Sequence, residues 1–202
     1  MSVSARLVLD SFSRWRESLG ALSLDGRRGF TTLAFDQPGS NGLGGTPPRF
    51  AAWAEGREGI VAIESQHGNH LTPKPAGAAA SFFESVQDKR SSSPLLGDMK
   101  RLARAADYVQ LDAVALVKAY TGLARAGREA TLLYLYWEPL QSTPESLRHR
   151  TEVAAFGKAA DLPGARFAAQ SYPELWASWE KQAEPDWLAG HAATLRLQYE
   201  KA

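Results

Sequence analysis

The feature that most constrains this chain is a run of four apolar residues, 60–63, that ends in a carboxylate, Glu64. A short apolar run of this kind predicts a buried strand. Side chains alternate across a strand, so Ala62, Glu64 and Gln66 share one face. Burying a carboxylate is costly unless it is paired or binds a metal ion. Glu64 therefore has two interpretations. It is either a structural residue that pairs with an arginine or caps a helix, or it is a metal ligand.

The other patterns predict a single α/β domain over residues 1–202. Helical periodicity or an initial proline predicts helices over residues 3–19, 79–89, 107–124, 144–160, 173–182 and 185–201. Runs rich in β-branched and aromatic residues predict strands at 30–35, 50–55, 131–137 and 166–171. This order indicates a small mixed sheet with helices on both faces. The Gly- and Pro-rich stretch 37–48 predicts an extended loop, and loops of this length are usually functional or mobile.

Composition narrows the class of protein. The chain has 202 residues and no cysteine, which excludes disulfides, thiolate chemistry and cysteine-ligated zinc. The first twenty residues carry several charges and lack the apolar stretch of a signal peptide. No segment approaches the ~18 apolar residues of a membrane span. We therefore expect a cytoplasmic protein without a membrane partner.

The net charge of +1 neither demands nor excludes nucleic acid, so the local distribution of charge matters more. Between residues 88 and 104 there are five basic residues and two acidic ones. The basic residues are Lys89, Arg90, Lys100, Arg101 and Arg104. This segment is either a solvated connection or a phosphate-facing surface. Lys74 and Lys118 have the same two interpretations, surface charge or phosphate contact. His67 and His70 are loop histidines or groups that contact a substrate.

Several segments, taken in order, resemble one known family. They are PGSNGLGGTPP at 38–48, IVAIESQ at 60–66, LTPKP at 71–75, LDAVALVKAY at 111–120, TLLYLYWEP at 131–139 and SYPELW at 171–176. Their order and spacing, over roughly residues 30–180, resemble a branch of the PD-(D/E)XK nuclease superfamily. The resemblance implies the restriction-endonuclease-like fold, with a mixed central sheet between two layers of helices.

The resemblance also implies a metal site. In this superfamily an acid on the second strand and a Glu-x-Lys motif on the third hold Mg²⁺, for which Mn²⁺ can substitute. The metal ion orients and activates a water molecule and stabilises the developing charge on the phosphate. Carboxylates are the hard oxygen ligands that Mg²⁺ requires. The lysine positions or polarises the water, and the first helix often supplies another acid.

The chain departs from this pattern at two positions. Glu64 matches the glutamate of the third strand, but Gln66 stands at the lysine position, as it does in some restriction enzymes of this superfamily. Ala51 stands where an aspartate is expected, in the run Pro-Pro-Arg-Phe-Ala at 47–51. An alanine cannot bind a metal ion. Either the lineage lost its catalytic acid or the residue was replaced deliberately.

The first hypothesis is a metal-dependent DNA nuclease that acts as a homodimer or with a partner protein. Its catalytic positions are Glu64, Gln66 and position 51, and Glu17 is a further candidate metal ligand. The expected phosphate contacts are Lys74, Lys89, Arg90, Lys100, Arg101 and Lys118. A role in defence against foreign DNA follows from the resemblance alone. The second hypothesis is a catalytically silent DNA-binding or assembly subunit, and the third is a small-molecule enzyme on a similar sheet.

Overall fold

A computed structural model describes residues 2–39, 47–75, 77–89 and 95–200, with the backbone alone at 87–89 and 95. Most of the predicted Gly- and Pro-rich loop, residues 40–46, lies outside this part of the chain. So does Arg90, one of the predicted phosphate contacts. The side chain of Lys89 is likewise outside the description.

Five strands form one mixed sheet whose spatial order is the order of the chain. They are β1 (Phe30–Pro38), β2 (Arg49–Gly56), β3 (Gly59–Gln66), β4 (Ala130–Tyr136) and β5 (Ala165–Ser171). The pairs β1–β2 and β2–β3 are antiparallel, whereas β3–β4 and β4–β5 are parallel. Strand β3 is central, and its residues from Gly59 to Ile63 are all buried. The predicted buried strand that ends in Glu64 is confirmed.

Helices cover both faces of the sheet, as predicted. In the described part they are α1 (Val3–Phe12), α2 (Ala78–Lys89), α3 (Leu95–Ala103), α4 (Ala113–Ala124), α5 (Pro144–Ala159), α6 (Tyr172–Glu180) and α7 (Leu188–Tyr199). Helices α2 to α5 pack on the face of Ala62 and Tyr134, and we call this buried cluster the first core. Helices α1, α6 and α7 pack on the face of Val61 and Ile63, the second core. No helix among the described residues is long and apolar enough to cross a membrane.

Two helix predictions needed correction, and one helix was not predicted. The helix predicted over 3–19 ends at Phe12 and continues as two short 3₁₀ turns. The helix predicted over 107–124 begins only at Ala113. The basic segment, interpreted as either a solvated connection or a phosphate-facing surface, contains helix α3, whose Met99 and Leu102 are buried in the first core. Leu96, Met99 and Leu102 recur at helical spacing, so the sequence does carry a signal for this helix between the charged residues.

Gly59 is required by the close approach of the β2–β3 turn to the start of β4. Its φ is +126°, and a Cβ atom built there would lie 2.1 Å from the backbone oxygen of Glu129. We expect Gly59→Ala to lower the free energy of unfolding by about 2–4 kcal/mol, because backbone strain and a clash add together. Gly190 in α7 has open space around it and serves as the control. Gly190→Ala should raise stability by about 0.5–1 kcal/mol. Urea denaturation measures both, and equal effects would contradict the interpretation of the turn.

Candidate functional site

A cleft of about 320 Å³ lies where the carboxyl end of β3 meets the amino end of α4. Its lining residues are Pro47, Pro48, Arg49, Glu64, Asp112, Val114, Ala115 and Lys118. We call it the Glu64 cleft. It brings together a carboxylate from the sheet and a carboxylate and a lysine from one helix, although these groups are far apart in the chain.

Glu64 is a partly buried carboxyl with little to neutralise it. It follows the buried part of β3 and pairs with Tyr134 of β4. The amide of Gln66 donates to its Oε1 at 3.3 Å. Burial raises the pKa of Glu64 to about 7; the Gln66 hydrogen bond opposes this rise and the negative charge of Asp112 adds to it. A cation bound in the cleft would remove this penalty, since it favours the charged form of the carboxyl.

Asp112 is the second acid of the cleft, and sequence reasoning did not single it out. Its Oδ1 accepts a hydrogen bond from the Ala115 N–H at 3.0 Å, which makes it the N-cap of α4. Aspartate is among the preferred residues at this position, so a structural role alone would account for its presence. The exposed carboxylate nevertheless shares a cleft with Glu64, and capping by one oxygen leaves acceptor capacity on the other.

Lys118 is the cation of the cleft that comes from the same helix as Asp112. Its Nζ lies 4.3 Å from the ring centroid of Phe82 on α2, a cation–π contact that holds the side chain toward this side of the helix. Among the predicted phosphate contacts that the structure describes, Lys118 is the one that lines the Glu64 cleft.

Arg49 also lines the cleft, but its charge is balanced by Asp36. The Nε and Nη2 atoms of Arg49 each lie 2.6 Å from a carboxylate oxygen of Asp36. These hydrogen bonds hold the pKa of Asp36 below its ordinary value and raise the pKa of Arg49. Asp36 has a φ of +54°, so the pair fixes a distorted point in β1 beside the cleft. Arg49 therefore shapes the rim of the cleft more than it adds positive charge.

Neither Ala51 nor Glu17 is among the residues that line the Glu64 cleft, although Ala51 lies near Glu64 in the sheet, because its neighbour Ala52 pairs with Ile63. Ala51 packs against the second core, whereas Glu64 follows Ala62 on the side of the first core. Glu17 is exposed at the end of a 3₁₀ turn whose Trp15 is buried in the second core. The proposed role of position 51 as the lost acid stays a prediction, and Asp112 is the acid that the fold places in the cleft.

Of the other predicted phosphate contacts, the three whose side chains the structure describes, Lys74, Lys100 and Arg101, are not among the residues that line the cleft. Lys74 donates from Nζ to the backbone oxygens of Asn69 and Thr72, both at 3.3 Å. Arg101 donates to the backbone oxygens of Ala159 and Asp161 at the end of α5. Lys100 lies on α3 and is partly buried. Arg101 is thus hydrogen-bonded to backbone oxygens of the protein itself. The phosphate-facing interpretation of this segment stays a prediction.

Two buried histidines lie in the first core beside the strand that pairs with Glu64. The ring centroids of His70 and His149 are 4.5 Å apart, and His149 Nε2 is 3.0 Å from the hydroxyl of Tyr134. Burial lowers the pKa of His70 to about 4 and that of His149 to about 3. Both rings are therefore neutral at pH 7. His70, predicted to be a loop histidine, belongs to this buried cluster.

In the described part of the chain, no group of three or more histidine, aspartate or glutamate side chains is arranged to hold a metal ion. Glu64 and Asp112 are the two carboxylates that line the Glu64 cleft. The sequence matches no protein-family model, and neither the curated proteins nor the solved structures contain a significant match.

Proposed function

We propose that the Glu64 cleft carries out metal-dependent hydrolysis of phosphodiester bonds in DNA, on a fold of the restriction-endonuclease-like kind. The observation that supports this most is the meeting of Glu64, Asp112 and Lys118 in one cleft. Two carboxylates beside a lysine are what a divalent cation and a phosphate group require together. We expect the protein to act in the cytoplasm, as a homodimer or with a partner protein.

The donor set of the cleft fits Mg²⁺ or Mn²⁺. Mg²⁺ commonly binds through one or two carboxylates and completes its coordination with water and phosphate oxygens. Glu64 and Asp112 would hold it. When bound, such an ion polarises a phosphoryl oxygen and lowers the pKa of a bound water molecule. The raised pKa of Glu64 is consistent with this role, because its carboxylate is under-neutralised in the protein alone.

The remaining side chains of the cleft have distinct roles in this proposal. Lys118 binds a phosphate oxygen as a point charge, and its contact with Phe82 limits where that charge lies. Gln66 is held against Glu64 and orients it through the amide N–H. A glutamine carries no charge, so it cannot supply the electrostatic contribution of the lysine that the family has there. Lys118 is the group that would supply this charge.

The second candidate is a catalytically silent DNA-binding subunit. Gln66 and Ala51 both favour it, because alanine cannot bind a metal ion and glutamine lacks the charge of the lysine expected at its position. In that case the cleft retains the shape of a nuclease site, and binding comes from exposed basic residues.

One set of assays separates the two functions. Supercoiled plasmid and single-stranded DNA are incubated in Mg²⁺ or Mn²⁺ with the unaltered chain, Asp112→Asn and Ala51→Asp. Asparagine is as good an N-cap as aspartate, so Asp112→Asn removes the charge while α4 keeps its start. Asp107→Asn, an exposed aspartate of the preceding loop, is the control.

We expect the unaltered chain to cleave DNA and Asp112→Asn to lose this activity. Cleavage only by Ala51→Asp, abolished again by an added Glu64→Ala, would mean that this chain is silent and position 51 is the lost acid. DNA binding with a steep salt dependence and no cleavage by any variant would favour the binding subunit. The absence of both binding and cleavage would exclude both functions.

A further inference from the structure

We infer that Glu152, on α5 and outside the cleft, is a positioning residue that fixes Asp112 for metal binding. The inference rests on the proposed function for the role of Asp112. The hydrogen bonds that support it lie in the loop between α3 and α4, residues 104–112. They are present whatever the function of the cleft.

The carboxylate of Glu152 accepts hydrogen bonds from three consecutive backbone N–H groups. The N–H of Val109 donates to Oε1 at 2.9 Å, and those of Gln110 and Leu111 donate to Oε2 at 2.8 and 2.7 Å. Glu152 itself is 3% exposed. Successive backbone N–H groups that converge on one anion form a concave binding site for it. The loop is therefore folded around this carboxylate up to the residue that precedes Asp112.

The same short segment is also held from its other side. Lys74 N–H donates to the backbone oxygen of Val109. The side-chain amide of Gln110, oriented with its nitrogen inward, donates to the oxygens of Leu71 and His70 at 3.2 and 3.3 Å. Residues 70–74 belong to the chain that leaves β3 just after Glu64 and Gln66. The placement of Asp112 relative to Glu64 is thus set by Glu152 on one side and by this chain on the other.

Two acceptor oxygens at position 152 are necessary for this geometry. A glutamine would present an N–H₂ group to N–H donors, so at least one of the three would lose its acceptor. Arg148, one turn earlier on α5, donates from Nε to Oε1 of Glu152 at 2.9 Å and orients the carboxylate. Residues that support metal ligands in this way commonly affect metal affinity about 10- to 100-fold when they are altered.

The test compares Glu152→Gln with Glu145→Gln, which makes the same change of charge at an exposed position of the same helix. Amide hydrogen exchange is measured at residues 109–111 and at Ala115, whose N–H is capped by Asp112. Mn²⁺ binding is measured from the loss of the free-ion electron paramagnetic resonance signal. We expect Glu152→Gln to accelerate exchange at both places and to weaken Mn²⁺ binding about 10- to 100-fold. High Mn²⁺ should restore cleavage, and Glu145→Gln should change none of these.

The outcomes separate this inference from the proposed function. Unchanged exchange at Ala115 in Glu152→Gln would overturn the inference. Faster exchange with unaltered Mn²⁺ affinity would also overturn it. Glu152 would then hold the loop in place without any effect on metal binding. If the unaltered chain neither binds Mn²⁺ nor cleaves DNA, the proposed function fails, and exchange at Ala115 alone decides whether Glu152 positions Asp112. Should Glu152→Gln not fold, Arg148→Met applies the same measurements to a milder change.

Discussion

Glu64→Gln is expected to make the protein more stable at pH 8. Burial raises the pKa of Glu64 from 4.5 to about 7, so the folded chain binds this proton more tightly than the unfolded chain. Stability therefore falls as the pH rises from about 4.5 to about 7 and stays reduced above that. Because the Glu64 side chain retains some contact with solvent, we expect Glu64→Gln to raise the free energy of unfolding at pH 8 by about 1–3 kcal/mol. Urea denaturation at pH 5 and pH 8 measures it, and the gain should largely vanish at pH 5.

The same substitution is expected to abolish metal-dependent cleavage. If Glu64 is a metal ligand, as proposed, its loss removes several kcal/mol of charge stabilisation, which corresponds to about a 10³-fold lower rate or more. Glu58→Gln, an exposed glutamate in the β2–β3 turn, makes the same change of charge away from the cleft and should leave both properties unaltered. A Glu64→Gln variant that is more stable and still cleaves DNA would show that Glu64 is a strained structural residue and not a ligand.

The second large effect is a loss of stability in mild acid that comes from His70 and His149. Burial lowers the pKa of these two histidines from 6.5 to about 4 and about 3. Below pH 6.5 the unfolded chain therefore binds protons that the folded chain does not, and stability falls as the pH falls. Each histidine contributes a slope of about 1.4 kcal/mol per pH unit between about pH 6 and pH 4.5. The nearby charge of Lys74 acts in the same direction.

The dependence of stability on pH is best measured in a variant that lacks Glu64, because this carboxyl affects stability in the opposite direction to the histidines. Glu64 becomes more favourable as the pH falls from 7 to 4.5, so the series is best carried out on Glu64→Gln. In that background, His149→Gln should reduce the slope of stability against pH by about half. His67→Gln, at a partly exposed site, is the control and should change the slope less. If the stability does not change between pH 6.5 and pH 5, His70 and His149 bind protons as readily in the folded chain as in the unfolded chain, and the prediction is wrong.

The strands could be predicted from the sequence because each carries a local signal. The run 60–63, the aromatic run at the start of β1 and the apolar run of β4 each show apolar and β-branched residues at strand length. The observed bounds differ from the predicted ones by a few residues at the ends. The mixed sheet with helices on both faces followed from the order of these elements. Whether the fold is restriction-endonuclease-like is not decided by that order.

Two of the three charged groups proposed to act in the cleft, Glu64 and Lys118, were singled out from the sequence, and Asp112 was not. Glu64 was found because a carboxylate directly after four apolar residues is unusual in itself. Asp112 carries only the signal of a helix N-cap, and nothing near it in the chain indicates that β3 ends beside it. Glu152 is one charged residue among several on α5, and its burial depends on three N–H groups of a distant loop. Contacts between segments this far apart depend on tertiary packing, which local patterns do not encode.

The parallel pairing of β3 with β4 has a consequence for how the cleft comes into being. Parallel neighbours need a crossover connection, and here the crossover carries α2, α3 and α4 before the chain returns to the sheet. Glu64 lies at the departure of this crossover and Asp112 within it. Contacts across a connection of this length carry an entropic cost of loop closure. The two acids therefore meet only when the crossover has packed against the sheet, and a cation bound between them would favour the folded chain over the unfolded chain.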